Sequence, residues 1–196
     1  MAEMTLGPDG WLIEARRVPS PNFDTRPIDM AISLLVVHAI SLPPGVFSGD
    51  CVERLFLNSL DTSAHPYFVG LKGLRVSSHF FIRRDGELVQ FVSCCDRAWH
   101  AGVSAWQGRS RCNDFSIGIE LEGGDDDVFE EAQYRRLSSL VACLSHRYPI
   151  AAVAGHADIS PGRKTDPGTR FDWTRLPAML VAERNRITRF FMQGTK

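Results

Sequence analysis

The sequence predicts a single-domain α/β protein in which a central mixed β-sheet is flanked by α-helices. Residues 32–38 form a largely aliphatic run without polar alternation, which is typical of a central strand covered on both faces. Residues 76–83 and 87–93 flank a Gly-containing turn and therefore predict a β-hairpin. Residues 130–148 repeat apolar side chains at helical spacing. Strands and helices that alternate in this way pack as layers around one sheet.

The length and composition are those of an ordinary globular protein. The chain has 196 residues, of which 44% are hydrophobic and 23% are charged. A chain of this length buries about 70% of its unfolded surface, which is enough for a core without disulfides. We expect one domain over residues 1–196. Within it, residues 1–29 are expected to form an extended surface arm, because Pro19 and Pro21 exclude a helix interior and a central strand.

The charge and cysteine patterns exclude several classes of protein. The formal net charge is -1, and no basic run is interleaved with aromatic residues, so we expect no nucleic-acid partner. No apolar stretch is long enough for a membrane span, and residues 1–10 lack the features of a signal peptide. The five cysteines include no C-x-x-C pair, as expected for reduced thiols. The prediction is a cytoplasmic protein without a membrane partner, and we take it to be a monomer.

The segment from residue 155 to residue 168 concentrates polar residues after a short apolar run. His156 follows residues 150–154, so it lies where a predicted strand ends in a loop. Two Pro-Gly pairs in the segment favour turns over helix. Lys164 and Asp166 are two residues apart and would face the same space in an extended loop. By itself this pattern also fits a solvated loop with an incidental histidine and a Lys–Asp pair.

Residues 115–122 predict a strand with one apolar and one polar face, because apolar side chains alternate with small or acidic ones. The alternating positions are Ser116, Gly118, Glu120 and Glu122. The apolar face is expected to pack inward. On the other face Gly118 leaves room for a ligand beside the two carboxylates. A plain antiparallel sheet with one wet face explains the same alternation.

Two further helices are predicted, at residues 50–60 and at residues 174–191. The first carries a loosely apolar side. The second begins at Thr174, a residue type that is favoured as a helix N-cap.

Side chains from distant parts of the chain fit one catalytic site. His38 and His156 are both predicted at strand ends, where ligands gather in α/β sheets. With Asp166 they supply two imidazoles and one carboxylate and leave a fourth position open, which is the ligand count of a catalytic zinc. Zinc lowers the pKa of a coordinated water from about 15.7 to about 7. For His38 alone, a satisfied core histidine is the competing interpretation.

Glu120 and Lys164 suit two roles beside such an ion. A carboxylate just outside the coordination shell can take the remaining proton of the water and pass it to a leaving amine, and Glu120 is the candidate. A cation near the attacked carbonyl stabilises the oxyanion, and Lys164 fits that role. Together these groups predict hydrolysis of an amide, with metal-bound water as the nucleophile.

Four motifs carry a resemblance to a known family. They are L-L-V-V-H-A-I-S-L-P-P-G at residues 34–45, H-P-Y-F at 65–68, N-D-F-S-I-G-I-E-L-E-G at 113–123 and G-H-A-D-I-S-P-G-R-K-T-D-P-G at 155–168. From about Trp11 to Trp173 the chain resembles the AmpD-type N-acetylmuramoyl-L-alanine amidases, zinc enzymes of the wider amidase and peptidoglycan-recognition fold. The resemblance implies Zn²⁺ as cofactor and cytosolic cleavage of the lactyl–L-alanine amide in 1,6-anhydro-muropeptides during cell-wall recycling. It also implies an indirect link to the control of inducible β-lactamase through removal of muropeptide signals.

Position by position, the resemblance implies a role for individual residues. The implied zinc ligands are His38, His156 and Asp166. The implied catalytic residues are Glu120 and Lys164. The implied substrate-binding residues are Tyr67, Arg75, Trp99 and Arg111. The two arginines match positions thought to bind the carboxylates of the stem peptide, a task that suits a forked guanidinium.

The sequence departs from the family pattern at Ala39. The family usually has Asn directly after the first zinc histidine, and Ala39 stands there instead. If that amide helps to hold the substrate, its loss alters substrate binding. The metal ligands are unchanged.

Three rival hypotheses compete with the zinc amidase. A non-catalytic module of the same fold that binds peptidoglycan or muropeptide would be favoured by loss of a zinc ligand or of the lysine, and all of them are present. A cysteine hydrolase would use Cys94 or Cys95 with His100, but no nucleophile motif surrounds these cysteines. A periplasmic amidase that acts on the intact wall would need an export signal, which the sequence does not show.

Overall fold

The computed structural model describes residues 4–176, and these residues form three α-helices and ten short strands. The α-helices are α1 (Cys51–Phe56), α2 (Glu131–Arg147) and α3 (His156–Ile159). The strands are β1 (Arg16–Arg17), β2 (Phe23–Thr25), β3 (Leu34–Ile40), β4 (Phe80–Ile82), β5 (Leu88–Gln90), β6 (Asp96–Ala98), β7 (Ala105–Trp106), β8 (Arg109–Ser110), β9 (Ser116–Glu122) and β10 (Ala152–Gly155). Three 3₁₀ turns lie at Pro66–Leu71, Cys112–Asp114 and Trp173–Arg175.

Six of the strands form one sheet in the order β1-β5-β4-β9-β3-β10. The predicted hairpin is the antiparallel pair β4–β5, whereas β4–β9, β9–β3 and β3–β10 are parallel. The sheet is therefore mixed, which confirms the predicted α/β class. The pairs β2–β6 and β7–β8 form small separate ladders. Within residues 4–176, none of the helices has the length and apolar character needed to cross a bilayer.

The two central strands, β3 and β9, present different side chains on their two faces. Leu35 and Val37 of β3 and Ile117 and Ile119 of β9 belong to the main core cluster, together with the apolar stripe of α2. Because side chains alternate along a strand, the even-numbered residues of β3 and β9 share the opposite face. That face carries His38, Ser116, Gly118 and Glu120. It is called the polar face below.

The polar face corrects one expectation for β9. The alternation predicted a face with room for a ligand and left a solvent-exposed face as the alternative, but every residue of β9 is buried. Gly118 does not leave space for a ligand either, because a Cβ built on it would lie 2.5 Å from Cγ of His100. Glu122 is also separated from the predicted site, since its carboxylate accepts from the backbone N–H of Arg84 at 3.0 Å. Alternation reports that the two faces differ in polarity and does not report what covers them.

The N-terminal segment is more integrated than the predicted surface arm. Strand β1 pairs in parallel with β5 at the edge of the sheet, and Leu12 is fully buried in the main core. The backbone N–H of Leu12 donates to the side chain of Gln90 at 2.7 Å. An edge strand is compatible with the flanking prolines, because they exclude a central strand and not an edge.

Two predictions concern the C-terminal part of the chain, namely the loop after residue 155 and the helix at residues 174–191. The segment after residue 155 was predicted as a loop without helix, but its first residues form the single turn α3. The predicted helix at residues 174–191 lies, from residue 177 onward, outside the described residues. Thr174 is inside a 3₁₀ turn, and Asp172 is its N-cap, accepting from the backbone N–H of Thr174.

Candidate active site

The register of the central strands places His38 beside Glu120. These two residues are directly paired in the parallel β3–β9 ladder, so their side chains leave the sheet side by side on the polar face. His38 is 2% exposed and Glu120 is 8% exposed. Both are therefore held by the backbone of the sheet interior, which makes their positions rigid.

His156 and Asp166 reach the same point from the next strand. β10 pairs in parallel with β3 and ends at Gly155, so His156 emerges beside His38 at the start of α3. The chain then turns back, and the backbone N–H of Ala157 donates to the carbonyl oxygen of Asp166 at 2.9 Å. This bond fastens the returning segment and brings the Asp166 carboxylate to the two imidazoles.

Three potential ligand atoms converge in an almost equilateral triangle. His38 Nδ1 and His156 Nδ1 are 3.0 Å apart, and Asp166 Oδ2 lies 3.2 Å from the first and 3.1 Å from the second. Two ligand atoms of a tetrahedral zinc site with bonds of about 2.0 Å are separated by about 3.3 Å. Within the described residues this is the cluster of His, Cys, Asp or Glu side chains whose spacing fits a metal ion. The predicted His38, His156 and Asp166 set is therefore brought together.

The electrostatics of the two histidines favour metal binding. Burial lowers the pKa of His38 to about 4, so its ring is neutral at pH 7 and offers a lone pair. The Nε2 atom of His156 lies 3.2 Å from the carbonyl oxygen of Ala101, which can only accept a proton. Nη2 of Arg163, which can only donate, lies farther from the same nitrogen, at 3.5 Å. The shorter contact to the carbonyl favours a proton on Nε2, which turns the lone pair of Nδ1 toward the triangle.

Glu120 has the environment of an acid–base catalyst. Burial, reinforced by the negative charge of Asp166, raises the pKa of Glu120 well above the usual range of a glutamate. Its Oε2 atom is buried and has no hydrogen-bond partner in the described part of the chain. A buried carboxylate oxygen without a partner is costly for the fold. It is expected where function rather than stability selects the residue.

A cavity of about 460 Å³ opens in front of these groups. Lys164 and the three predicted ligands lie in its wall with Glu120, and Lys164 is exposed to solvent. Two of the predicted substrate-binding residues also line it, namely Tyr67, which is 50% exposed, and Trp99. Ala39 lines the cavity as well. Apolar groups complete the wall, and they are Ile40, Leu42, Leu55, Phe56, Leu71, Leu74 and Val76.

The two arginines lie outside this wall. Arg75 borders a neighbouring hollow of about 140 Å³ that shares Leu55, Leu71 and Leu74 with the main cavity. The Arg111 side chain is 70% exposed, and its Nε donates to Asp114 at 3.0 Å. The structure thus gathers seven of the nine predicted site residues in one cavity and places these two farther out.

His100 also lies in the site, although the sequence analysis did not place it there. Its ring is buried directly behind His38, with its Nδ1 2.9 Å from His38 Nε2, and burial lowers the pKa of His100 well below its ordinary value. In the sequence analysis His100 entered only the cysteine-hydrolase hypothesis, as the partner of Cys94 or Cys95. Burial raises the pKa of the Cys94 thiol, which disfavours the thiolate that a nucleophile needs.

The chain matches a known protein family over most of its length. The N-acetylmuramoyl-L-alanine amidase family matches residues 28–169. The 1,6-anhydro-N-acetylmuramyl-L-alanine amidase AmpD of Citrobacter freundii is 58% identical over 175 residues, which cover 88% of this chain and 94% of that protein. The crystal structure of a selenomethionine AmpD derivative superposes with a TM-score of 0.86 at 58% identity and covers 90% of this chain and 99% of its own.

A more distant structure shows a related amidase with its substrate. The Escherichia coli amidase AmiD, in complex with anhydro-N-acetylmuramic acid-L-Ala-D-γ-Glu-L-Lys, is 28% identical with a TM-score of 0.55, over 97% of this chain and 72% of that one. The family model and the relatives agree with one another. The chain therefore belongs to the N-acetylmuramoyl-L-alanine amidase family, and within it to the AmpD-type enzymes.

Proposed function

We propose that this enzyme hydrolyses the amide between the lactyl group of 1,6-anhydro-N-acetylmuramic acid and the L-alanine of the stem peptide, and that it depends on zinc. The names of its relatives support the substrate, since the curated AmpD proteins carry this specificity and AmiD was seen with an anhydro-muropeptide. The observation that carries the zinc dependence is the triangle of His38 Nδ1, His156 Nδ1 and Asp166 Oδ2.

The donor set fits zinc better than other common metals. Two neutral imidazoles and one carboxylate leave one tetrahedral position open, which is the arrangement of a catalytic site. Magnesium and calcium prefer sites built from oxygen ligands alone. His38, His156 and Asp166 would hold the zinc ion, which would supply a water of lowered pKa and Lewis acidity toward a carbonyl oxygen.

Glu120 is proposed as the general base and then the general acid. Its raised pKa suits a group that must hold a proton between two steps near pH 7. It removes a proton from the attacking water and delivers it to the leaving nitrogen of L-alanine. Its Oε2 has no hydrogen-bond partner within the described chain, so no other contact competes with the water for this atom.

Lys164 is proposed to stabilise the negative charge that develops on the carbonyl oxygen. It lies in the cavity wall and is exposed, so its ammonium can reach a bound substrate. A fixed cation beside a developing oxyanion lowers the barrier more than it tightens substrate binding. Tyr67 and Trp99 are proposed to contact the substrate from the same cavity.

Arg75 and Arg111 are proposed to act farther along the substrate. Neither lies in the wall of the main cavity, so their positions suit binding of the stem peptide's carboxylates, away from the amide that is cleaved. Ala39 lines the cavity where the family usually has Asn, and its methyl group can make no hydrogen bond to a substrate there.

The proposed biological role is peptidoglycan recycling by a cytoplasmic, monomeric enzyme. Removal of anhydro-muropeptides would lower the signal that induces β-lactamase, which makes the link to that regulation indirect. We propose that residues 1–196 act as one zinc amidase domain with no nucleic-acid or membrane partner.

The deciding experiment measures metal content and product together. The purified enzyme is incubated with a defined 1,6-anhydro-muropeptide, and the products are identified by mass spectrometry before chelation, after chelation and after zinc is restored. We expect one zinc per chain and release of a peptide that begins with L-alanine, lost on chelation and recovered with zinc. Binding of the muropeptide without cleavage would instead identify a binding module, and cleavage that survives complete chelation would refute the zinc mechanism.

A further inference from the structure

The two proposed histidine ligands have different hydrogen-bond partners at Nε2, the ring nitrogen that points away from the proposed metal site. The Nε2 of His156 faces a backbone carbonyl oxygen, that of Ala101. The Nε2 of His38 faces another imidazole, that of His100, at 2.9 Å. A carbonyl can only accept, whereas an imidazole nitrogen can either donate or accept. The tautomer of His38 therefore depends on which nitrogen of His100 carries a proton, and the hydrogen bonds on the far side of His100 decide that.

A chain of hydrogen bonds leads from His100 to the backbone. His100 Nε2 lies 3.2 Å from Ser116 Oγ, and Ser116 Oγ donates to the carbonyl oxygen of Cys112 at 2.6 Å. These bonds are called the His100–Ser116 chain below. All of its side chains are buried, and Ser116 is completely so. Its distal end is fixed, because the Cys112 carbonyl oxygen has no proton to give.

The fixed end determines the direction of every bond. A hydroxyl has one proton, and Ser116 gives its proton to Cys112, so Ser116 Oγ must accept from His100 Nε2. His100 is buried, and no carboxylate is among its hydrogen-bond partners in the described residues, so its ring is neutral. A neutral ring protonated on Nε2 has its lone pair on Nδ1, which then accepts from His38 Nε2.

We propose that His100 is a positioning residue that accepts the Nε2 proton of His38 and so makes His38 present the Nδ1 lone pair to the metal. The inference rests on the proposed zinc site. It adds a residue that touches neither the metal nor the substrate. Groups that hold a ligand histidine in this way tune metal affinity by about 10–100-fold.

Strand β9 is built to accommodate this arrangement. Ser116, Gly118 and Glu120 lie on its polar face, two residues apart. Ser116 anchors the far nitrogen of His100, and Gly118 leaves the space that the ring occupies, since a Cβ there would lie 2.5 Å from Cγ and 2.7 Å from Nδ1 of His100. Gly118 has no positive φ, so steric clearance accounts for glycine here and backbone conformation does not.

The first test measures zinc affinity by competition with a chromogenic chelator. We expect His100→Leu to weaken zinc binding about 10–100-fold, because it removes the acceptor. His100→Asn should restore affinity to within about threefold of the wild type, since its amide oxygen can replace Nδ1. Gly118→Ala should weaken binding without removing any polar group, because it displaces the ring. The exposed histidine variant His146→Ala is the matched control and should bind as the wild type does.

The second test reads the proton position directly and needs no variant. Two-bond ¹H–¹⁵N spectra of the metal-free wild type should show His38 protonated on Nε2 and His100 protonated on Nε2. In Ser116→Ala, the preference of His100 for Nε2–H should weaken because its acceptor is gone. A structural role alone would not predict a tautomer.

The outcomes separate this inference from the proposed zinc site. If His38→Ala and Asp166→Ala bind zinc as the wild type does, the zinc site itself is wrong. If those variants lose zinc but His100→Leu binds it as tightly as the wild type, the positioning role alone is refuted. If His100→Leu does not fold, the wild-type spectrum decides, and a His38 protonated on Nδ1 overturns the inference.

Discussion

The two faces of the central strand pair β3–β9 are both buried but differ in chemistry. One face packs Ile117 and Ile119 against the stripe of α2, and the other carries His38 and Glu120. Burial stabilises the apolar face in proportion to the area removed from water. On the polar face burial destabilises the fold, because it leaves Glu120 Oε2 without a hydrogen-bond partner within the described chain. One strand therefore serves stability through its odd residues and chemistry through its even ones.

The largest expected effect comes from removing a proposed ligand on the polar side. Asp166→Ala should reduce zinc from one per chain to near zero and turnover to background, because two imidazoles alone do not retain the ion against a chelator. Metal analysis after dialysis and muropeptide turnover check this. Asp126→Ala, at an exposed aspartate, is the matched control. Stoichiometric zinc in Asp166→Ala would remove this carboxylate from the ligand set.

The second prediction concerns Glu120. Glu120→Gln should lower turnover by about 10²–10⁴-fold while zinc stays bound, because the amide keeps the shape but cannot exchange a proton. The free energy of unfolding should change by less than about 1 kcal/mol, since the carboxylate is not hydrogen-bonded through Oε2. Full activity of this variant would contradict the proposed mechanism.

The third prediction concerns Lys164, which lies in the cavity wall of the same site. Lys164→Ala should lower turnover by about 10²–10³-fold with smaller change in KM, because the lost interaction forms mainly in the transition state. Lys72→Ala, at an exposed lysine outside the cavity wall, should leave kinetics unchanged. An equal rise in KM with constant kcat would assign Lys164 to substrate binding instead.

Ile119 sharpens the comparison because it is adjacent to Glu120 and faces the other way. Ile119→Ala should lower the free energy of unfolding by about 3 kcal/mol, since Ile119 is fully buried in the core. Urea unfolding measures this, and zinc stoichiometry at low temperature should stay at one per chain. A variant that lost zinc while its stability was unchanged would show that the two faces are not separable.

The smallest expected effect lies in the ion pairs that Glu53 of α1 forms with Arg16 and Arg83. Hydrogen bonds from Arg16, helped by Arg83, lower the pKa of Glu53, so the folded state holds its carboxylate more strongly than the unfolded chain does. The stabilisation is therefore present above the unfolded pKa of about 4.3 and is lost as the pH falls through the folded pKa. Glu53→Gln should cost about 1 kcal/mol at pH 7. The difference from the wild type should vanish in urea titrations at acidic pH, and a constant difference would exclude a charge effect.

The sequence predicted that His38, His156 and Asp166 converge, which the structure shows, but it did not predict what surrounds them. His38, Glu120 and His156 were predicted because each ends or occupies a strand with a clear pattern, and strand ends meet in α/β sheets. The ligand space predicted beside Gly118 was wrong because alternation cannot show that His100 covers Gly118. The loop at residue 156 was wrong because Pro161 and Gly162 signal turns but leave room for one helical turn before them.

The central claim is that His38, His156 and Asp166 hold one zinc ion, and anomalous diffraction tests it most directly. Data collected on both sides of the zinc absorption edge, from crystals of enzyme purified with zinc, locate the metal without reference to activity. We predict one strong anomalous peak about 2 Å from His38 Nδ1, His156 Nδ1 and an Asp166 carboxylate oxygen. A fully occupied zinc elsewhere, with these three side chains unliganded, would contradict the account.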